Sequence, residues 1–467
     1  MKLLTLLLLT IIHGFNATAQ NSFAGDWEGK IGNIRLIFHL TEKEGKLTAT
    51  LDSPDQGATG LACDEVTTKE DSINITLSIA HASYSGLLGA DKKNISGTWK
   101  QGGQSIALDL SKGASIVSEE VRWQTPKPPF PYRSEEVTYD NKDKSVHYGG
   151  TLSTPNGAGP FPAVVIISGS GTQDRDGTMF GHKSYAVLAD YLTRQGIAVL
   201  RVDDRGIGKS SLGKNPEKLT SVDFAADVAT SFAFLQNRPG LNKKRIGLIG
   251  HSEGGMIAPI VASKNKSVAF IVLLAGPGQK GDAIWKYQMQ QAFERPNLSS
   301  ADKLLADQLV NAVNDAYKHS DNMDTIQSEI KTTYTQWKKN VPDSVENKLL
   351  LTRGPVDFLK FSNSLRNGLS WLKYFMNYDP AILLAQIKIP VLAINGEQDI
   401  QVLAKENLAA IDAALKKGNN KKYTIKAFPN LNHLFQTTTD KERPYNSIDE
   451  TFSPIALAYI AQWIKAQ

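Results

Sequence analysis

The residues with the clearest chemical potential are Gly250-His251-Ser252-Glu253-Gly254. An apolar run from Arg245 to Ile249 precedes them and predicts a strand, and the small, helix-compatible residues that follow predict a helix. A serine on such a tight strand-to-helix turn is held in a strained backbone conformation with its hydroxyl exposed, and the flanking glycines leave room for it. We therefore predict that Ser252 is a nucleophile; the alternative is an ordinary capping serine on a glycine-rich turn.

A serine hydroxyl is a poor nucleophile without a base and a carboxylate that orients the base, and with this type of turn the chain order is serine, acid, histidine. Of the eight histidines, only His433 lies beyond the acidic residues that follow the apolar run at Pro390. It belongs to the turn-rich segment Pro429 to His433. We predict His433 as the base, with a surface-loop histidine as the alternative.

Two acidic residues, Glu397 and Asp399, follow the predicted strand from Ile389 to Ile394, and either could reach a histidine. The negative charge on an attacked carbonyl oxygen also needs backbone N–H donors from two places. One is the N–H of Glu253, directly after the nucleophile. For the other we predict Ser170 N–H, in the loop Ser168-Gly169-Ser170-Gly171, although which amide of this loop donates stays open.

From Ser134 to its end the chain resembles the bacterial esterases and serine-aminopeptidase-like proteins of the serine α/β-hydrolase superfamily. The resemblance rests on Gly-His-Ser-Glu-Gly-Gly at 250–255, Ser-Gly-Ser-Gly at 168–171 with Asp-Arg-Asp-Gly at 174–177, and Asp-Asp-Arg-Gly-Ile-Gly at 203–208. It implies an α/β-hydrolase fold and a catalytic triad of Ser252, Asp399 and His433. Asp399 is preferred to Glu397 because its spacing after Gly396 resembles the acid loop of the family. One departure is that Ser168-Gly169 stands where the family often has His-Gly.

The predicted elements around these residues alternate between apolar strands and helices, which is typical of a mostly parallel sheet with helices on both faces. Strands are predicted at 162–167, 198–202, 245–249, 270–274, 390–394 and 423–427, and helices at 185–195, 224–235, 256–263 and 455–464. Residues 279–379 contain no convincing strand, and amphipathic stretches such as Ala301 to Tyr317 predict a helical cap insertion.

Residues 20–113 have a different pattern, in which apolar residues alternate with polar ones, as at Ile34, Leu36 and Phe38. This predicts a small antiparallel β domain. The segments Gly25-Asp26-Trp27 and Gly97-Thr98-Trp99 resemble the strand openings of lipocalin-like barrels, and we expect these tryptophans to fill a β core rather than a ligand site. The Pro-rich stretch within 114–133 predicts a linker, so the hydrolase domain is expected at 134–467.

The first 19 residues predict a signal peptide, with Lys2, an apolar run from Leu3 to Ile12 and Ala17-Thr18-Ala19 before a cleavage site at Gln20. A non-cleaved anchor is the alternative. Cys63 is the only cysteine, so no internal disulfide can form, which fits a periplasmic location better than a disulfide-stapled extracellular one. We expect an exported protein, periplasmic or secreted, without stable membrane insertion.

Composition excludes several classes of protein. At 467 residues, with 41% hydrophobic and 21% charged residues, the chain is expected to form two or three globular units, neither disordered nor polytopic in a membrane. A net charge of +5 without a run of Lys or Arg argues against a nucleic-acid partner.

Two further motifs are set aside. Gly206 to Ser210 resembles a phosphate-binding loop, but Asp203 occupies the position of its first glycine. Asp174 to Gly177 resembles a calcium loop, but Lys183 stands where the bidentate glutamate belongs. We expect a turn and an ion-paired loop, with no metal.

Together these features predict a serine hydrolase that cleaves carboxylic esters through an acyl-enzyme intermediate and needs no cofactor. The expected substrate is a small-molecule ester or a peptide; a serine peptidase is the alternative, and a non-catalytic ligand-binding protein is less favoured because the triad residues are intact. Aromatic residues of the insertion are expected to line an acyl pocket or to fill the core of the cap: Trp285, Tyr287, Phe293, Trp337, Phe358, Phe361, Trp371, Tyr374 and Phe375.

Overall fold

The computed structural model describes residues 22–467 except 33, 44, 54–57, 78–81, 102–103, 114–121, 294–298, 321 and 349–367. The predicted signal peptide, the first part of the predicted linker, Phe358, Phe361 and the side chain of Phe293 therefore lie outside the described residues.

The N-terminal part forms an antiparallel sheet whose strands follow from the alternation of apolar residues. The strands are β1 Gly25–Ile31, β2 Ile34–Lys43, β3 Lys46–Ser53, β4 Ala58–Ala62, β5 Glu65–Lys69, β6 Ser72–Leu77, β7 Ala82–Leu88, β8 Asn94–Gln101, β9 Gln104–Ala107 and β10 Leu110–Lys112. Their order is β4-β3-β2-β1-β10-β8-β7-β6-β5, with β9 paired to β8. The predicted antiparallel unit is thus present, whereas its likeness to lipocalin barrels stays a prediction.

The core of this sheet is aromatic. Trp27 is fully buried, and its indole N–H donates to the carbonyl oxygen of Phe23 at 2.7 Å. Phe38 packs against Tyr84 and Trp99, with ring centroids 5.5 and 6.2 Å apart. The two tryptophans of the motifs therefore lie in the β core.

The C-terminal part contains a second, eight-stranded sheet in the order β11-β12-β16-β13-β17-β18-β19-β20. These strands are β11 Arg133–Asp140, β12 His147–Thr154, β13 Phe161–Ile167, β16 Ala198–Val202, β17 Leu241–His251, β18 Ile271–Leu274, β19 Val391–Gly396 and β20 Tyr423–Phe428; β14 Thr178–Met179 and β15 His182–Lys183 form a separate small hairpin. From β16 to β20 the neighbours are parallel, and β11 and β12 are antiparallel at one edge.

Both faces of this sheet are buried. In β13, Ala163, Val165 and Ile167 join one apolar cluster and Val164 and Ile166 join the other, because successive side chains of a strand point to opposite faces. Helices therefore cover the sheet on two sides, as expected for parallel strands that read as continuous apolar runs.

Within the described ranges the helices are α1 Ser184–Arg194, α2 Ser221–Gln236, α3 Glu253–Lys264, α4 Gly281–Phe293, α5 Ser300–His319, α6 Met323–Lys338, α7 Asp343–Lys348, α8 Leu369–Asn377, α9 Pro380–Leu384, α10 Ala404–Lys417 and α11 Pro454–Lys465, with 3₁₀ turns at Pro216–Lys218 and Tyr445–Ser447. Helices α4 to α8 lie between β18 and β19, within the range 279–379 for which the sequence predicts a helical cap insertion. None of the described helices has the length and apolar character that crossing a membrane would require.

Among the described residues, an apolar side chain from a loop of the second part joins the core of the first sheet. Ile207, 3% exposed, belongs to the same buried cluster as Trp27 and Phe38 of the first sheet. It lies in the loop after β16. The segment between the sheets is anchored as well, since Gln124 accepts from the backbone N–H of Thr451 and Phe452 and donates to the carbonyl of Phe452.

Candidate active site

The sequence-predicted residues lie at one edge of the parallel sheet. Ser168 to Gly171 follow β13, Ser252 follows β17, Asp399 follows β19 and His433 follows β20. The carboxyl ends of parallel strands share an edge, and this edge is where ligands bind in open α/β sheets. The fold therefore brings together residues separated by more than 250 positions.

Ser252 occupies the tight turn between β17 and α3. Its φ of 53° and ψ of −118° are unfavourable for a residue with a side chain, and its backbone N–H donates to the carbonyl oxygen of Leu274 at 2.8 Å. The neighbouring glycines permit this turn: a Cβ at Gly250 would lie 2.0 Å from the carbonyl oxygen of Gly254. A Cβ at Gly254 would lie 2.4 Å from the carbonyl oxygen of Ile167, so this glycine lets α3 approach β13 closely.

His433 and Asp399 form a buried pair. The His433 Nδ1 and Asp399 Oδ2 atoms are 2.7 Å apart, and the residues are 3% and 2% exposed. The other carboxylate oxygen of Asp399 accepts from the backbone N–H groups of Gln401 and Val402 at 2.7 and 2.9 Å. Because the carboxylate is held on both sides, it can fix the imidazole with the proton on Nδ1 and the lone pair on Nε2.

Glu397, the alternative acid, is exposed, and its backbone N–H donates to Phe428 O at 2.9 Å. The acid loop and the histidine loop are in direct contact. The Gln398 N–H donates to Leu431 O at 2.9 Å, and a Cβ at Gly396 would lie 2.0 Å from that same oxygen. Gly396 is thus required for the close approach of the two loops.

The loop predicted to stabilise an oxyanion packs on the serine. A Cβ added to Gly169 would lie 3.2 Å from the Cβ of Ser252. The Gly169 N–H donates to the Tyr185 hydroxyl at 3.2 Å, so the N–H of Ser170 is the better candidate of the two. The Glu253 N–H lies in the first turn of α3, where backbone N–H groups have no partner within the helix.

A partly buried carboxylate anchors this loop through two hydrogen bonds. Asp204 accepts from the Ser168 hydroxyl at 2.7 Å and from the Gln173 N–H at 2.8 Å. Burial raises its pKa to about 7 although both hydrogen bonds act in the opposite direction. The sequence motif contains Asp204, but its role becomes visible only through these contacts.

His251 links the oxyanion loop to His433. Its Nε2 lies 3.0 Å from the carbonyl oxygen of His433, which can only accept, so Nε2 carries the proton. Its Nδ1 then accepts from Tyr185, whose hydroxyl lies 3.3 Å away. Burial, aided by the nearby His433 ring, lowers the pKa of His251 to about 4, so the ring stays neutral at neutral pH.

Another histidine, His182, contacts the segment that follows His433. His182 is fully buried, its Nδ1 lies 2.8 Å from the Thr451 hydroxyl, and its Nε2 lies 3.1 Å from Nε2 of Gln436. Sequence reasoning missed His182, Tyr185 and the side chain of Glu253. Nothing in the residues beside them in the sequence indicates their partners.

The two motifs set aside are held by ion pairs and turns. Asp203 pairs with Arg175 at 2.6 Å and accepts from the Lys209 N–H at 2.9 Å, and Asp176 pairs with Arg201. Among the residues described, no group of three or more His, Cys, Asp or Glu side chains is placed to hold a metal ion.

The insertion has an aromatic core of its own. Trp337 is 6% exposed and its indole N–H donates to Leu305 O at 2.8 Å, which places it in the interior of the cap. Trp371 instead points to the site, where its indole N–H donates to the Glu253 carboxylate at 2.8 Å. Of the predicted cap aromatics, Trp371 is thus joined directly to the turn that carries Ser252.

Comparison with known proteins identifies a family and a sequence relative. Residues 162–437 match the family model described as alpha/beta hydrolase fold. Esterase EstD of Thermotoga maritima is 26% identical over 312 residues, which cover 66% of this chain and 63% of that protein. The match therefore spans less than two thirds of the relative.

Several solved structures are similar over most of their length. They include the hypothetical protein PA2218 of Pseudomonas aeruginosa (15% identity, 73% of this chain and 96% of that chain, TM-score 0.44) and the alpha/beta hydrolase GrgF of Penicillium sp. sh18 (17%, 72% and 98%, 0.43). The family model covers more than half of the 467 residues. The chain therefore belongs to the α/β-hydrolase fold family.

Proposed function

We propose that the protein is a serine hydrolase that cleaves carboxylic esters, with Ser252 as nucleophile, His433 as general base and Asp399 as the orienting acid. The observation that carries the proposal is the buried His433–Asp399 pair, 2.7 Å from Nδ1 to Oδ2, at the same sheet edge as the strained Ser252 turn. The likeness to an esterase supports an ester as the substrate.

The first half of the reaction transfers the acyl group to the enzyme. Ser252 Oγ attacks the carbonyl carbon and its proton passes to His433 Nε2, while Asp399 stabilises the imidazolium. The N–H groups of Glu253 and Ser170 stabilise the oxyanion. When the tetrahedral intermediate collapses, the bond from carbon to the leaving oxygen breaks and the alcohol departs with the proton from His433.

The second half returns the enzyme to its starting state. Water attacks the acyl-enzyme, and His433 takes one of its protons and returns it to Ser252 Oγ, which releases the carboxylic acid. Every proton moves between Ser252, His433, the substrate and water, so the proposed steps involve no cofactor.

The remaining parts of the proposal concern where the enzyme works and what it accepts. From the pattern of the N-terminal residues we propose that the protein is exported to the periplasm or secreted. Residues 20–113 are proposed to form a separate β domain of lipocalin-like type. The cap sets the acyl preference. Peptide hydrolysis is the alternative activity, because the same catalytic residues can cleave either an ester or a peptide bond.

The test combines labelling with a substrate panel. An organophosphonate should label Ser252 stoichiometrically, and the chain should hydrolyse aryl esters of short acids faster than aminoacyl anilides. Ser252→Ala should abolish labelling and turnover, leaving at most the roughly 10³- to 10⁴-fold acceleration over water that binding and oxyanion stabilisation supply. Ser267→Ala, an exposed serine, is the matched control. Full activity of Ser252→Ala would refute the assignment, and preferential anilide cleavage would identify a peptidase.

A further inference from the structure

The carboxylate of Glu253 lies buried directly behind the proposed nucleophile. The residue is 2% exposed and immediately follows Ser252. Its Oε1 accepts from the Ser221 hydroxyl at 2.6 Å and from the Trp371 indole N–H at 2.8 Å. The Ser170 side chain also stabilises the charged form of this carboxylate and so lowers its pKa. A single buried acid thus meets three separate segments of the chain.

These segments belong to different parts of the molecule. Ser221 is the first residue of α2, a scaffold helix that packs on α3. Trp371 lies in α8, the last helix of the cap insertion. Ser170 lies in the loop that supplies the second proposed oxyanion donor. Glu253 therefore connects the scaffold, the cap and the oxyanion loop at one point.

Because the Glu253 carboxylate is buried, protein donors must stabilise its charge in place of water. Burial raises the pKa of Glu253, and the contacts with Ser221, Trp371 and Ser170 oppose that shift by stabilising the charged form. A buried acceptor that loses a donor pays the full desolvation cost of the unsatisfied group. The side chain is therefore expected to move or reorient when Trp371 or Ser221 is withdrawn.

Any such movement is transmitted to the reacting centre. The backbone N–H of Glu253 is one proposed oxyanion donor, and Ser170, which carries the other, has a side chain that stabilises the Glu253 carboxylate. Its loop also packs on the nucleophile, since a Cβ at Gly169 would lie 3.2 Å from the Cβ of Ser252. Oxyanion donors act only when they are held near 3 Å from the developing charge. A displacement at the carboxylate thus reaches the first donor through the Glu253 backbone and the second through the Ser170 side chain.

We propose that Glu253 is a positioning residue that ties the cap, through Trp371, to both oxyanion donors, so that the cap supports turnover as well as substrate binding. This inference rests on the proposed function. It assigns to Trp371 an effect on kcat that a residue serving only as a pocket wall would not have, since a wall contributes to the binding of the substrate and its transition state alike.

Two variants test the link from opposite ends. Trp371→Phe removes the indole N–H but keeps an aromatic ring against Phe375, whose ring centroid lies 5.6 Å away. Ser221→Ala removes the other donor to Oε1 at a residue that is fully buried and so cannot touch the substrate. Each should lower kcat on a short aryl ester by about tenfold, equivalent to the loss of about 1.4 kcal/mol of transition-state stabilisation, with KM changed less than about twofold.

The controls remove similar groups that do not reach Glu253. Trp337→Phe deletes an indole N–H that donates to Leu305 O inside the cap. Ser231→Ala deletes a buried hydroxyl on the same helix as Ser221, where it donates to Asp227 O at 3.0 Å. Both should keep kcat and KM near the values of the unmodified protein, and all variants should bind the phosphonate with unchanged stoichiometry.

The rate of phosphonate labelling adds a second measurement. Labelling at Ser252 should slow in Trp371→Phe and Ser221→Ala in parallel with kcat, because the phosphoryl oxygen uses the same donors. The inference is wrong if both variants match their controls in kcat, or if Trp371→Phe raises KM alone. Failure of the phosphonate to label Ser252 in the unmodified protein would instead overturn the proposed function, and this inference with it.

Discussion

The ring nitrogen Nε2 of His251 lies 3.0 Å from the backbone carbonyl oxygen of His433, although the two residues are separated by 182 positions in the chain. The centroids of their rings are 5.0 Å apart, and Nδ1 of His251 accepts from the Tyr185 hydroxyl. The residue before the proposed nucleophile thus supports the loop that carries the proposed base.

His251→Phe should therefore lower kcat on short esters by about tenfold while KM stays nearly constant. The variant keeps a ring of similar size but loses a hydrogen bond, which contributes about 0.5–1.5 kcal/mol, so the His433 loop is less well fixed. His147→Phe, at a half-exposed histidine that bonds Asp140, is the control for the same substitution. Steady-state kinetics of both variants decide the matter; equal kcat values would show that the contact has no part in turnover.

Asp399→Asn should reduce kcat by a factor on the order of 10⁴, because an amide in place of the carboxylate favours the wrong tautomer of His433. Glu397→Gln should have little effect, since Glu397 is exposed and Asp399 is the acid that contacts His433. The measurement is kcat for both variants on one ester. The reverse order of effects would transfer the role of the acid to Glu397.

Asp204→Asn should change how stability depends on pH. The pKa of Asp204 is raised to about 7 in the folded protein from an ordinary value of 3.8, so the folded state retains a proton that the unfolded state releases. The contribution of this group is fully present below pH 3.8 and is lost as pH rises through 7. The asparagine variant cannot titrate at this position.

Relative to the unmodified protein, Asp204→Asn should therefore gain stability as pH rises from 4 to 8, by an amount on the order of 4 kcal/mol. Thermal unfolding of both proteins across this pH range measures the difference. Asp190→Asn, at a partly buried aspartate that bonds Arg194 and Tyr132, serves as the control. A difference in Tm that stays constant with pH would contradict a raised pKa at Asp204.

Deletion of residues 20–113 should leave a folded hydrolase part that still cleaves short esters, because all of the proposed catalytic groups lie after it. Its stability should nevertheless fall, since Ile207 loses the apolar cluster around Trp27 and is exposed to water. Exposure of one such side chain lowers the free energy of unfolding by about 1.5–3 kcal/mol. Ile207→Ser should make the truncated protein more soluble, because it removes this exposed apolar side chain.

The same pair of proteins tests whether the β part assists large substrates. If it shields the cap, kcat/KM for a bulky ester should fall more than for a short one, through weaker remote binding. A truncated protein that is soluble and folded yet inactive on the short ester would show that the β part completes the active site.

Local sequence patterns were sufficient to predict most strands and helices and the candidate residues that follow the strands. The continuous apolar runs predict β13 and β16 close to their observed bounds, since a strand buried on both faces needs apolar side chains at every position. For β17 they predict only the buried part at 245–249, whereas the strand runs from Leu241 to His251 and begins with the polar segment at 242–244. Gly250 and Gly254 predict the turn at Ser252, because its backbone geometry needs neighbours without side chains. Chain order then led to His433, and the resemblance to the family's acid loop favoured Asp399 over Glu397; the fold places the two residues in contact.

The contacts that position these residues were decided by the tertiary structure alone. Glu253 bonds Trp371 across 118 positions, His251 bonds the His433 loop across 182, and Ile207 enters the core of the other sheet. Nothing in the local sequence marks these partners, because a side-chain hydrogen bond depends on the packing distance and rotation of two elements, whereas periodicity reports only which face of each element is buried. The sequence by itself determined which groups could react, and the packing of the cap, the loops and the two sheets determined what holds them in place.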